Sequence, residues 1–281
     1  MKKKLILIAV AVFAFLGALG LTLYPLISTA YNESHRSEIQ THYEEKVMDT
    51  DRSKLMEELQ KAHAYNRSLT DYSQEALLEA ENEYKDCLNL MGDGIMGYVE
   101  VPKIHVQLPI YHGTNADTLE IGVGHLLGSS LPVGGKNTHS VLTAHSGMAT
   151  DKMFSDLPQM AEGDVFYLEI MGETLAYQVD QIRTVTPYDT TYLSTVVGED
   201  LCTLVTCTPF GVNTHRLLVR GTRIPYEEAV EIQEEIEAGT ETASTWEQHY
   251  VRGILLGIGG SVFLLLLGYT IWKEWKKRHD H

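Results

Sequence analysis

Uncharged apolar residues crowd the two ends of this chain, and short alternating runs fill its middle. Leu5 to Ala30 carries no charge, and Gly253 to Trp272 is a second uncharged run of 20 residues. Each is long enough to cross a bilayer as a helix, which needs about 20 apolar residues. A soluble core helix is rarely apolar all round over such a length. Between these ends, Leu55, Leu59 and His63, then Leu77, Leu78 and Tyr84, recur at helical spacing. That spacing predicts two helices broken near residues 66–71. From about residue 94 the period shortens. The runs 97–102, 141–144, 165–170, 175–179 and 217–219 are short, rich in β-formers and punctuated by Gly, Pro and Asn. Such spacing predicts an all-β barrel or sandwich. Glu227 to Ile236 then predicts an acidic helix leading to the second apolar run.

The flanks of the apolar ends give them a direction. Lys2, Lys3 and Lys4 precede the first, and Lys273, Lys276, Lys277 and Arg278 follow the second. Basic residues gather on the cytoplasmic side of spanning helices, so both termini are expected in the cytoplasm and the middle outside the cell. Trp272 and Trp275 fall where an aromatic belt is expected. A cleaved signal peptide ending at Ser28-Thr29-Ala30 is the alternative for the first run, which is longer than the ~7–15 residues of a signal core. Gly253 and Gly257 match a weak helix-packing spacing.

Charge adds to this division. The formal charge of the 281 residues is −16. The terminal flanks hold seven of the 22 basic residues and two of the 38 acidic ones, which leaves the expected external part near −21. That balance excludes a nucleic-acid partner, which needs a basic face, and is read as a solubility feature. Three cysteines cannot all pair within one chain. Cys202 and Cys207 are five apart, so on a strand they point to opposite faces. Cys87 lies in a helical pattern, and no disulfide framework is implied.

The candidate chemistry lies in Thr203-Leu204-Val205-Thr206-Cys207, a turn through Pro209 and Gly211, and Arg216-Leu217-Leu218-Val219. A thiol and a guanidinium brought together across a hairpin suit acyl transfer, one as nucleophile and the other as oxyanion donor. His145 mirrors Cys207, because the run His139 to Gly147 also ends an apolar strand at a polar residue before a turn. Alternation puts Arg216 and Arg220 on one strand face, so Arg220 is the rival arginine; Arg216 lies nearer the turn. No cysteine pair, His-Glu-x-x-His or carboxylate cluster has metal-ligand spacing, and no glycine loop has the spacing of a phosphate cradle. No cofactor is expected.

With these residues assembled, the chain resembles the sortases, the membrane-bound cysteine transpeptidases of Gram-positive bacteria, and within them class C, the pilus-assembling branch. Residues 203–207 are similar to the family's Thr-Leu-x-Thr-Cys signature, 213–221 to its arginine strand and 142–147 to its histidine strand. Residues 89–104, 108–114 and 124–139 resemble other parts of the domain. The resemblance implies a mainly β fold, a closed eight-stranded barrel with N-terminal helices and a transmembrane helix at each end. The expected boundaries are a cytoplasmic start at 1–4, a span at 5–28, a helical and lid segment at 31–90, the catalytic barrel at 91–225, an acidic helix and linker at 226–250, a span at 251–272 and a basic tail at 273–281. It further implies that Cys207 attacks the threonine carbonyl of an LPXTG-like sorting signal. His145 then protonates the leaving amine, Arg216 holds the oxyanion and a pilin lysine resolves the thioester. Anchoring of surface proteins to a cell-wall peptide is the alternative within this chemistry. A protease releasing surface proteins and a non-catalytic membrane-tethered adhesin are the others. Many class C members carry an Asp-Pro-aromatic lid. Here Asp71 and Tyr72 occupy the corresponding place without the proline, whose fixed φ would stiffen such a plug.

Overall fold

The computed structural model describes residues 2–69, 81–146, 148, 151–239, 252–260, 269–270 and 273. The chain divides into two compact units, residues 24–241 and residues 1–23 with 242–281. Helix α1 (Lys2–Asp49) is followed by α2 (Arg52–Ser68) and α3 (Glu81–Asp86). The strands are β1 (Ile95–Val101), β2 (Val106–His112), β3 (Val123–His125), β4 (Thr138–Thr143), β5 (Val165–Ile170), β6 (Glu173–Val185), β7 (Asp200–Thr208) and β8 (His215–Ile224). Helix α4 (Ala116–Ile121) lies between β2 and β3, and α5 (Tyr226–Gly239) follows β8. The eight strands close into a barrel in the order β1-β2-β3-β4-β7-β8-β6-β5, as the resemblance implies. Two joins are parallel, β2 with β3 and β4 with β7.

Alternation decides what fills the barrel. Leu142, Phe166, Cys202, Leu204 and Val219 belong to the main core, while Val141, Val185, Val205 and Leu218 form a separate apolar cluster. These are the two faces of the same strands, since successive side chains point opposite ways. Each buried Leu, Val or Phe contributes roughly 1.5–3 kcal/mol. Gly221 leaves room for the stacked Phe166 and Tyr177 rings, whose centroids are 5.5 Å apart. A Cβ at Gly221 would come within 2.7 Å of the Phe166 ring.

The helices dock by specific polar contacts. Helix α2 starts at Asp51, whose carboxylate accepts from the Ser53 N–H at 2.8 Å. Its buried stripe is Leu59, Ala62 and Tyr65; Leu55 of the expected stripe packs against the same core, and His63 is half-buried. Asn66 fixes that rotation, donating to Leu131 O at 3.0 Å and accepting from Leu131 N–H at 2.7 Å. Leu77 and Leu78, the other half of the expected helical zone, lie outside the described residues. On α1, the Tyr43 hydroxyl donates to Met96 O and accepts from Met171 N–H, both at 3.1 Å. Burial pushes that phenol up to about 12. Arg36, also on α1, pairs with buried Asp151. From α3, Tyr84 places its hydroxyl 3.0 Å from His125 Nδ1, while His125 Nε2 lies 2.8 Å from Ser130 O. A carbonyl only accepts, so Nε2 carries the hydrogen, and burial lowers this imidazole to about 4.

The expected first span falls within α1, and of the expected second span residues 252–260, 269 and 270 are described, all helical. Among the described residues no helix is long and apolar enough to cross a membrane. The two spans therefore stand as expectations from the sequence.

Candidate active site

Strands β4, β7 and β8 are neighbours in the barrel, and the candidate residues sit at one level across them. Cys207 and Arg216 are direct cross-strand partners of the β7–β8 hairpin. Parallel pairing of β4 with β7 runs to Thr143 opposite Val205. Beyond it the chain keeps to β7. The Ala144 N–H donates to Val205 O at 3.1 Å and Thr206 Oγ1 donates to Ala144 O at 2.9 Å. Ser146 Oγ donates to Cys207 O at 2.6 Å. His145 thus stands level with Cys207 on one side, as Arg216 does on the other. The structure brings together all three residues singled out from the sequence, each half-buried at the barrel rim. The His145 carbonyl accepts from the Phe154 N–H at 3.0 Å, which ties the histidine to a fully buried core residue.

The two arginines differ in what they bind. Arg220 grips Asp180 through Nε and Nη2 at 3.0 and 2.7 Å. Arg216 donates to the carbonyls of Asn213 and His215 at 3.3 and 3.0 Å. Among the described residues no carboxylate pairs with it, so its guanidinium keeps donors for an incoming oxyanion. The cysteines separate as clearly. Cys202 points into the core, where burial raises its thiol well above the ordinary value, and burial pushes Cys87 up to about 11. All three thiols are free, and Cys207 is the one that reaches the rim.

Directly below the rim row, the same outer face carries the cluster of Val141, Val185, Val205 and Leu218, with Leu126 and Leu193 packed against it. Two residues along a strand span about 6.7 Å. The outward positions one step below the rim are therefore filled by side chains that are themselves only 1–8% exposed, with Leu126 and Leu193 packed over them. Leu193 comes from the segment 186–199 between β6 and β7, which reading by alternation did not single out. His139, read only as the start of its strand, also lies on this outer face, buried beneath that segment. Counting by twos from His145 finds it. Asp71 and Tyr72, the lid candidates, lie outside the described residues. No group of three or more metal-ligating side chains occurs among the described residues.

Comparison with known proteins agrees with this geometry. The sortase domain family matches residues 99–224. Sortase D of Bacillus subtilis (strain 168) is 32% identical over 131 residues, 46% of this chain and 63% of that protein. Sortase A of Streptococcus agalactiae serotype III (strain NEM316) is 26% identical over 144 residues, and the match spans 56% of its length. The chain thus spans less than two thirds of these relatives. Solved structures are matched almost end to end. Sortase C1 of Streptococcus agalactiae is 43% identical with a TM-score of 0.63, covering 67% of this chain and 98% of that one. Sortase C of Streptococcus pneumoniae is 45% identical with a TM-score of 0.61, covering 67% and 97%. Sortase C of Clostridium perfringens, solved with the C-terminal cell wall sorting motif, is 42% identical with a TM-score of 0.60, covering 67% and 99%. A barrel of this strand order, its cysteine paired with an arginine and flanked by a histidine, together with near-complete matches to class C structures, gives one answer: the chain belongs to the sortase family.

Proposed function

We propose that this chain is a membrane-bound cysteine transpeptidase that cleaves an LPXTG-like sorting signal and joins it to a pilin lysine. The observation that carries this reading is the rim row itself, with Cys207 opposite Arg216 and His145 level with both. Cys207 Sγ, as thiolate, attacks the threonine carbonyl carbon. The oxygen takes the negative charge and accepts hydrogen bonds from Arg216, worth roughly two to three orders of magnitude in rate for such a donor. The C–N bond to glycine then breaks as His145, as imidazolium, gives its proton to the leaving nitrogen. An acceptor amine attacks the thioester, His145 takes the amine's proton, and the thiolate leaves. An amine prevails over water when the site positions it and excludes solvent. The two apolar ends of the chain suit a membrane location with the barrel outside the cell.

Asp71 and Tyr72 are proposed as a plug over the rim. The test of the reaction is a sorting-signal peptide incubated with the full chain, with and without an amine. Transfer requires an acyl-enzyme adduct on Cys207 by mass spectrometry and an amide product. Cys207→Ala removing neither would sink the reading, and an adduct resolved by water alone would make the chain a protease. Offering a pilin lysine peptide against a cell-wall peptide separates polymerisation from anchoring.

A further inference from the structure

The segment that follows His145 turns back and holds it. The Phe154 N–H donates to the His145 carbonyl at 3.0 Å. Just before it stands Met153, whose φ of 42° is left-handed backbone. A long side chain seldom adopts that conformation, which persists where the surroundings impose it. Both preceding residues are anchored. Lys152 Nζ donates to Ile104 O at 2.7 Å and lies 3.0 Å from Asp156 Oδ2. Asp151 pairs through Oδ2 with Arg36 Nη1 of α1, and its Oδ1 faces the Met153 N–H at 3.4 Å. One buried carboxylate thus stands between helix α1 and the strained residue.

Helix α1 is a firm support for that carboxylate. Two turns beyond Arg36, the Tyr43 hydroxyl bonds to the backbone of both Met96 and Met171 at 3.1 Å, which seats the helix on the barrel. Arg36 itself comes six residues after the first apolar run ends at Ala30, within the same continuous helix. At the other end of the linkage, Ser146 Oγ holds the chain level with Cys207. The bond from Phe154 sets the plane of the peptide between His145 and Ser146, and with it the direction in which the imidazole leaves the backbone.

We infer that Arg36 is a positioning residue for the reaction: through Asp151 and the Phe154 N–H, helix α1 holds His145 where it can protonate the leaving amine. This rests on the transpeptidase reading above. With the link cut, Met153 is free to leave its left-handed conformation, the Phe154 N–H turns from the His145 carbonyl, and the imidazole loses its fixed place. The step that suffers is proton transfer to the leaving nitrogen, since a general acid must lie within hydrogen-bond reach of the atom it protonates. Binding of the sorting signal is not expected to change.

The test uses the full chain in detergent and two substrates, a sorting peptide and its analogue with an ester in place of the threonine–glycine amide. An ester's alkoxide leaves with less help from an acid than an amide's nitrogen does, so it reports on Cys207 and Arg216 with little demand on His145. The variant is Arg36→Met with Asp151→Asn, which cuts the link and leaves no buried charge to unfold the chain. Its kcat for the amide is expected to fall about tenfold, a part of the roughly 100- to 10,000-fold that a positioned acid supplies. Its KM, and its kcat for the ester, are expected to stay within about twofold. The conservative Asp151→Asn keeps an acceptor for Arg36 and is expected to restore most of the amide rate. Equal losses on amide and ester would overturn the inference, since a smaller folded fraction or a disturbed thiol produces them. So would a full amide rate in the double variant, or an Asp151→Asn as slow as the double variant. A wild type that turns over neither substrate would take the transpeptidase reading down together with this one, whereas the other failures leave that reading standing.

Discussion

Replacing Arg36 by methionine would remove the cation that faces Asp151. The Asp151 side chain is 2% exposed and that of Arg36 is 13% exposed, so water has little access to the carboxylate left behind. Among the described residues its other hydrogen bond is from the Met153 N–H at 3.4 Å, too long to hold a charge well. Breaking a buried pair from one side costs about 3–5 kcal/mol, because the remaining charge stays desolvated. With a urea slope of about 2 kcal/mol/M, a loss of ~4 kcal/mol lowers the unfolding midpoint by about 2 M. Asp151→Asn is expected to cost less, about 1–2 kcal/mol, since Arg36 is nearer to solvent and the amide still accepts a hydrogen bond. The double variant Arg36→Met with Asp151→Asn should recover most of the loss, because no buried charge remains. The assay is urea unfolding of the full chain in detergent, followed by circular dichroism, arranged as a double-mutant cycle. A midpoint shift below ~0.5 M for Arg36→Met, or a double variant as weak as that single one, would refute the reasoning. The loop that holds Asp151 also carries Phe154, whose N–H ties His145, so the same variants report on how firmly α1 supports the rim.

Arg216→Ala is expected to lower kcat/KM for a sorting peptide by about 100- to 1000-fold. Arg220→Ala should cost at most about 1 kcal/mol of stability by releasing partly exposed Asp180, and an equal loss of activity from the two would reverse their assignment. His125 is lowered from its ordinary 6.5 to about 4. The unfolded chain therefore binds the extra proton between those values, and stability present above pH 6.5 is lost as pH falls towards 4. The slope is up to ~1.4 kcal/mol per pH unit. Urea midpoints at pH 7.5 and 5.0 should differ less in His125→Gln, and an equally steep loss would discount this histidine. Asp71→Ala with Tyr72→Ala is expected to speed alkylation of Cys207, and unchanged labelling would argue against a plug.

Much of the barrel was legible because its strands obey a period of two. The expectation that Cys202 and Cys207 point to opposite faces holds, with Cys202 in the main core and Cys207 at the half-buried rim. The placement of Cys207 and His145 at strand ends was legible too, since each stops an apolar run before a turn. The rotation of α2 was legible only in part. Leu55 and Leu59 meet the core as their spacing implies, but the contacts between Asn66 and Leu131 bring Ala62 and Tyr65 inward beside them. His139 was passed over for a similar reason: its partner Ser194 is 55 residues away, and no periodicity links a strand to a distant loop.

By itself, the sequence determined the apolar ends, the acidic middle, the β-rich core segment and the residue types of an acyl-transfer site. These follow from local rules of alternation, propensity and charge that act over a few residues. Only the tertiary structure decided which arginine stays without a carboxylate, since Asp180 reaches Arg220 across β6 and β8. It also set His145 level with Cys207, through a parallel pairing of strands some 60 residues apart. Such choices depend on barrel closure and register, which fix distances between segments that the chain's local chemistry leaves free.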